Sequence, residues 1–375
     1  MKIAFTAPMK PLDHPVPSGD RTMGRLIVRA LESAGHAVRV ATDFRSWRKQ
    51  GSDDIQGAVK QQALLEAERI AEEWQKDQYR PDLFLTYHLY HKAPDWIGPS
   101  LANRFALPYA IIEASRAPKR KTGNWSFGFA AADEALNRAD AVAAIHNADA
   151  ECLRAVVPPD RLDVVLPFLD AAPYQQAAVP KRRQAQTPLK LLAVGMMREG
   201  DKTGSYEVLA KALLLLQDLP WHLTIIGDGP NKDHVLSLFQ PDRINWMGAL
   251  SPEDLAAQYA SHDLLVWPAI REAFGLVFLE AQAAGTAVIA GDTFGVPDIV
   301  KDGVTGLLSS EGDAEAFAEN LKRFISTPGM ADQMGRAASS HIESNHTLAA
   351  GAKRLSALAQ KAITNHRHRT EAQEA

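Results

Sequence analysis

The sequence predicts an α/β protein made of two doubly wound parallel-sheet domains. Short apolar runs alternate with helical patterns along most of the chain, and the alternation lapses only between Asp170 and Pro188 before a fresh cycle begins. At 375 residues the chain also exceeds what one hydrophobic core usually supports.

The elements follow in order. Lys2 to Ala7 is an apolar run ending at Pro8, followed by a loop rich in Pro, Gly and Ser and then the helical pattern Met23 to Gly35. His36 to Ala41, Leu83 to Thr86, Tyr109 to Ile112 and Ala141 to Ile145 read as further strands, and Ile55 to Lys76 as a long, polar, amphipathic outer helix. Residues 171–188, with the run Lys181-Arg182-Arg183, hold neither period and read as a linker. Strands of a second sheet follow at Leu189 to Gly195, Trp221 to Ile226, Ile244 to Met247, Leu264 to Pro268 and Ala287 to Ala290. After Gly312 the pattern is helical: Ala314 to Ile325, Gly329 to Glu343 and Leu348 to Asn365, with a frayed tail beyond. The expected domains are 1–170 and 189–345, with 346–375 a C-terminal helix and tail that returns to the first domain. Ligands bind beyond the carboxyl ends of strands in such sheets, so two facing halves would make one cleft.

Composition narrows the function. A net charge of -4 argues against a nucleic-acid partner, which would call for a basic face. Cys152 is the only cysteine, which excludes an intrachain disulfide and a thiolate metal cluster and fits a reducing, cytoplasmic setting. The apolar start is too short for a signal peptide, and no apolar run is long enough to cross a bilayer. Membrane contact is expected to be peripheral at most. A dinucleotide-dependent dehydrogenase is disfavoured because no Gly-x-Gly-x-x-Gly turn joins a strand to a helix.

The chemistry concentrates between Trp267 and Thr286. A buried strand ends at Pro268, a loop carries Glu272, and Gly275 allows close backbone approach before a helix that contains Glu280. The amides of Phe274, Gly275 and Leu276 would then stand at a helix N-terminus, a natural phosphate seat, while Glu280 could accept hydrogen bonds from a vicinal diol such as ribose. Arg198 and Lys202, after the strand that ends at Gly195, are the candidates for the positive charge that a bound phosphate calls for. No Asp-x-Asp pair follows a strand, so metal-dependent donor binding is disfavoured and no metal or cofactor is expected.

In this stretch the sequence resembles glycosyltransferase family 4, whose E-x7-E signature runs into E-A-x-A-x-G, matched by Glu280-Ala281-Gln282-Ala283-Ala284-Gly285. The resemblance extends from about Leu191 to Ile325. Ile225-Ile226-Gly227-Asp228-Gly229-Pro230 is similar to the family's strand-end glycine loop, and Ile244 to Leu250, with Met247 and Leu250 as donor-site candidates, to the segment against which the base packs. Gly295 to Val300 and Asp302 to Gly306 are similar to its closing turns. The resemblance implies a GT-B fold, two Rossmann-like domains facing across a cleft. It implies a retaining transferase that moves a hexose from a nucleotide-diphosphate sugar to a glycan, lipid-linked or small-molecule acceptor. Glu272 would contact the donor sugar and Glu280 the ribose. The family places arginine directly after the first glycine, whereas Met196 and Met197 intervene here before Arg198.

In the first half, Pro17-Ser18-Gly19-Asp20-Arg21 lies between strand and helix. Gly19 would permit a phosphate-cradling nest, and Ser18 or Arg21 would touch donor or acceptor; the competing reading is a plain helix entry capped by Ser18 or Asp20. Relatives carry a histidine at the end of a later strand, where this chain has Glu113. His88, His91 and Arg116 are candidates for the acceptor side, and the basic cluster Arg116 to Lys121 beside Trp125 could meet an anionic glycan or lipid phosphate. Two alternatives remain open at this point, a catalytically idle sugar-nucleotide scaffold or sensor and a sugar-nucleotide epimerase.

Overall fold

A computed structural model describes residues 1–13, 18–178, 187–273 and 275–374. The chain divides into two compact units: Met1–Pro167 with Leu348–Ala375, and Phe168–Thr347.

The first unit runs β1 (Lys2–Thr6), α1 (Gly19–Ser33), β2 (Ala37–Thr42), α2 (Asp53–Lys76), β3 (Leu83–Leu89), α3 (Ile97–Arg104), β4 (Tyr109–Ala114), α4 (Ser126–Arg138), β5 (Ala141–Ala144), α5 (Asn147–Leu153) and β6 (Leu162–Val164). Its sheet is parallel throughout, in the order β2-β1-β3-β4-β5-β6. Every residue of β4 and β5 is buried, which is why both read as continuous apolar runs: helices cover the two faces. The α2 helix, amphipathic as its pattern predicts, turns Val59, Ala63, Ala67, Ile70 and Trp74 into this core.

The second unit runs α6 (Ala172–Ala177), β7 (Leu189–Val194), α7 (Asp201–Leu214), β8 (Trp221–Ile226), α8 (Lys232–Ser237), β9 (Ile244–Trp246), α9 (Pro252–Ser261), β10 (Leu264–Trp267), α10 (Leu276–Ala283), β11 (Ala287–Asp292), α11 (Val296–Ile299), β12 (Gly306–Ser310), α12 (Ala314–Ser326) and α13 (Met330–Asn345). Its sheet is again parallel, ordered β12-β11-β10-β7-β8-β9. The final helix, α14 (Leu348–Glu374), packs on α1, β4 and β5 of the first unit.

Two expectations need correction, and one strand stands where none was expected. Part of the stretch read as a linker is α6, whose Tyr174 ring meets Tyr259 edge-on at 6.0 Å; Lys181, Arg182 and Arg183 lie outside the described residues. The turn expected at Asp302 to Gly306 is present, with Gly303 N donating to the Gly306 carbonyl at 2.9 Å, and it leads into β12, a strand not expected there, paired to β11 from Val288 and Gly306 onward. The tail is not frayed, because its polar residues have partners. Asn365 Nδ2 donates to the Asp140 carbonyl at 2.9 Å, Arg369 Nη1 to the Arg138 carbonyl at 2.9 Å, and Arg369 pairs with the buried Asp140 carboxylate at 3.0 Å. Among the described residues, no helix is long and apolar enough to cross a membrane.

Candidate active site

In each sheet the crossovers leave two neighbouring strands in opposite directions, and a ligand crevice opens at the carboxyl ends of such a strand pair. In the second unit these strands are β7 and β10. The loops after β7 and β8 press together there. Gly227 has φ 142°, and a Cβ on it would stand 1.9 Å from the Gly195 carbonyl oxygen; Gly229, at φ 153°, would meet the Met197 carbonyl at 2.3 Å. Only glycine admits this approach. Met197 N donates to the Asp228 carbonyl at 2.9 Å, so the inserted Met196-Met197 pair is absorbed by a buried Met197 and an exposed Met196.

Lys202, in the first turn of α7, forms an ion pair with Glu272 from the loop after β10, across 70 residues of sequence. Its ammonium lies 5.4 Å from the centre of the Trp267 ring, and Trp267 Nε1 donates to Glu272 Oε2 at 3.4 Å. Arg198 extends an exposed side chain, while its carbonyl accepts from Thr203 Oγ1 at 2.8 Å. Gly275 has φ 65° and a Cβ on it would press on the Phe278 ring at 2.8 Å; no side chain caps the start of α10 at Leu276. Phe274 lies outside the described residues. Glu280, further along α10, accepts from the Tyr259 hydroxyl at 2.8 Å and from Tyr174. Burial pushes its carboxyl up, against these two hydrogen bonds. Met247 is exposed, with its amide donating to the Ile225 carbonyl, and Leu250 is half-buried. Sequence reasoning missed both tyrosines; Tyr174 stood in what read as linker.

In the first unit the corresponding strands are β1 and β3. Ser18 stands at the α1 N-cap without capping it, and accepts instead from Lys10 Nζ at 2.9 Å. Gly19 has no left-handed backbone and a Cβ there would meet nothing, so the nest argument from that glycine is corrected. Arg21 turns inward, donating from Nε to the Pro11 carbonyl at 3.1 Å, and is only 6% exposed. Asp20 pairs with Lys10; burial pushes its carboxyl up, but His88 and Lys10 outweigh burial and hold it below the usual range.

His88 and Glu113 adopt left-handed backbones, φ 64° and 59°, close to the ends of β3 and β4. His88 Nδ1 lies 3.2 Å from Glu113 Oε1 and 3.6 Å from Asp20 Oδ1. Glu113 is buried, and burial pushes its carboxyl up to about 7. His91 packs edge-on against Tyr90 and Trp125; burial, then Arg120 and Lys92, push it down to about 4, so it is neutral at pH 7. Arg116 is engaged in a bidentate pair with Asp133, both bonds 2.9 Å. It is thus a packing residue of α4 rather than a free cation, while Lys119, Arg120 and Lys121 beside it are exposed. Asp20, read only as a possible cap, joins the site; nothing in the sequence marks its contact with His88.

Residues 179–341 match the model of a family described as glycosyl transferases group 1. A D-inositol 3-phosphate glycosyltransferase of Corynebacterium efficiens is 31% identical over 236 residues, covering 59% of this chain and 54% of the relative. The chain spans about half the length, or less, of the curated relatives it matches. Among solved structures, the sucrose-phosphate synthase of Thermosynechococcus elongatus is similar with a TM-score of 0.75 and 19% identity, covering 97% of this chain and 99% of that one. Anabaena HepE in complex with UDP is similar with a TM-score of 0.70 and 14% identity, covering 95% and 98%. With its two six-stranded parallel sheets, the chain has the α/β GT-B fold.

Proposed function

We propose that the protein is a glycosyltransferase of family 4 type that moves a hexose, with retention, from a nucleotide-diphosphate sugar to a hydroxyl of a glycan, lipid-linked or small-molecule acceptor. The observation that carries this is the ion pair of Lys202 with Glu272 beside Gly275 at the uncapped start of α10, with Glu280 about one turn along the same helix, at the β7/β10 crevice. In this reading the α10 amides and the glycine loops after β7 and β8 take the diphosphate, and Arg198 and Lys202 stabilise the charge that grows on it. Glu272 receives sugar hydroxyls once Lys202 turns to phosphate. Glu280, held by Tyr259 and Tyr174, accepts from the ribose diol. Two cationic side chains supply what a metal would, so donor binding is metal-independent. The family match and the UDP bound by HepE support a nucleotide donor, and place UDP-sugars first for testing. The name of the Corynebacterium relative puts an inositol phosphate among the acceptors to try. We place the enzyme in the cytoplasm, with Lys119, Arg120 and Lys121 available for peripheral contact with an anionic surface.

A thermal-shift panel of UDP-, GDP- and ADP-sugars, with and without metal, tests this on wild type, Glu280→Ala and Lys202→Ala. One nucleotide class should raise the melting temperature without metal, and Glu280→Ala should lose that shift. Lys202→Ala should keep the fold and lose about 100-fold or more in turnover. The transfer reading fails if no nucleotide sugar shifts the curve at millimolar-scale concentration. Binding without release or transfer to any acceptor would instead indicate a sugar-nucleotide sensor.

A further inference from the structure

Three side chains able to ligate a metal ion, drawn from three elements of the first unit, meet at the carboxyl edge of its sheet: Asp20 from α1, His88 from β3 and Glu113 from β4. The parallel pairing of β3 with β4, Tyr87 beside Ile112 and Leu89 beside Ala114, brings His88 level with Glu113. His88 Nδ1 lies 3.2 Å from Glu113 Oε1 and 3.6 Å from Asp20 Oδ1, and one candidate ligand atom from each residue falls within 4.8 Å of the other two.

Hydrogen bonding does not account for this arrangement. His88 Nδ1 and Glu113 Oε2 are buried without a hydrogen-bond partner, so the close approaches are not aligned from donor to acceptor. The Glu113 side chain is only 5% exposed, and the buried Tyr87 hydroxyl near it also lacks an aligned partner. Buried polar atoms are ordinarily satisfied, and a buried carboxylate needs a counter-charge. Lys10 is engaged with Asp20 Oδ2, as is the Ser18 hydroxyl at 3.2 Å, which leaves Asp20 Oδ1 turned to His88.

We propose that Asp20, His88 and Glu113 hold a divalent transition-metal ion, Zn2+ in the first instance. Ligand atoms about 2.1 Å from a tetrahedral ion stand ~3.4 Å apart, and the two distances from His88 Nδ1 bracket that value. The donor set selects the class of ion. An imidazole nitrogen beside two carboxylate oxygens suits Zn2+ over Mg2+ or Ca2+, which take oxygen ligands. Lys10 and Ser18 fix the orientation of the Asp20 carboxylate, as partners of ligating carboxylates do in metal sites generally. Three protein ligands leave one tetrahedral position to water. The ion ties the start of α1 to the ends of β3 and β4 and supplies the positive charge that the buried Glu113 calls for. Burial, which raises the Glu113 carboxyl to about 7, acts on the chain without the ion.

The test is metal binding at neutral pH by the full chain, stripped with EDTA and dialysed free of it. Zn2+ alone should raise the melting temperature and bind at one ion per chain in a calorimetric titration, and Mg2+ and Ca2+ should give no such shift. Co2+ in its place should show the strong visible absorption of a tetrahedral centre. Glu113→Gln, His88→Asn and Asp20→Asn should each weaken Zn2+ binding by about 100-fold or more. His368→Ala, at an exposed position of α14, should leave it unchanged. Asparagine tolerates the left-handed backbone found at His88, so His88→Asn removes the ligand without straining the strand. Wild type with no Zn2+-dependent shift overturns the assignment, as does Zn2+ affinity retained in His88→Asn or in Asp20→Asn; these outcomes stand even if Glu113→Gln does not fold. Loss of binding in His368→Ala, or Co2+ bound without the tetrahedral absorption, overturns it too. None of these readouts uses a nucleotide sugar, so the metal site and the transfer reading fail separately.

Discussion

Burial favours the protonated form of a carboxyl, and at Glu113 this sets a sign for stability against pH. The folded chain holds that proton to about 7, whereas the unfolded chain releases it in the ordinary carboxylate range. Between these values the folded state binds more protons, so stability falls as pH rises through the window and levels off above it. The full effect is of the order of 3 kcal/mol, reached above neutral pH. Glu113→Gln should therefore flatten the pH dependence and melt higher than wild type at alkaline pH; urea unfolding across the pH range measures it, and a variant with an unchanged slope would contradict the buried-acid account. The same residue shows the limit of sequence reading. Glu113 could be named from its place at a strand end, but its neighbour His88 lies 25 positions away, and only the pairing of β3 with β4 brings them together.

At the scale of elements, α14 illustrates tertiary control of a helix end. Its last turns are polar and carry no apolar period after Ala362, yet the helix continues to Glu374. Asp140 explains this: fully buried after α4, it accepts from the Tyr109 amide at 2.9 Å and pairs with Arg138 and Arg369. Asp140→Ala would leave the Tyr109 amide and two guanidinium groups without their shared partner, a loss of roughly 2–4 kcal/mol. Hydrogen exchange should then quicken across the α14 residues after Asn365 before it does so in α1. Equal protection in variant and wild type would show that Asp140 does not anchor the helix. The six-residue α6 makes the same point. It is too short to display a period, and it is held by Tyr174 against Tyr259 and Glu280.

At the scale of the molecule, the two units repeat one architecture but carry different chemistry. The second sheet places a lysine, two glutamates and glycine-restricted loops at its strand ends, and the first places an aspartate, a histidine and a buried glutamate. If the donor is held as proposed, a saturating nucleotide sugar should slow hydrogen exchange in α10 and in the loops after β7 and β8. The strands of the first sheet should gain less, since their contacts do not include the donor. Mass-action stabilisation of about 3 kcal/mol is expected when the sugar nucleotide is present at a hundredfold excess over its Kd. Protection confined to the first sheet would reverse the assignment of the two units.

By itself the sequence determined the α/β class, the placement of most strands and the stretches that carry the chemistry. Strands covered on both faces must be apolar along their whole length, and their helices must alternate with them, so both signals are local. Tertiary structure alone decided the rest. Lys202 and Glu272 were each visible as charged residues near strand ends, yet their ion pair depends on β7 lying beside β10. β12 ends in Ser309 and Ser310 and is a strand because β11 offers it a backbone edge. His88, Glu113 and Asp20 form a cluster only because β1, β3 and β4 are neighbours. Periodicity records which face of a segment is buried; it carries no information about which distant segment does the burying, and site chemistry depends on that.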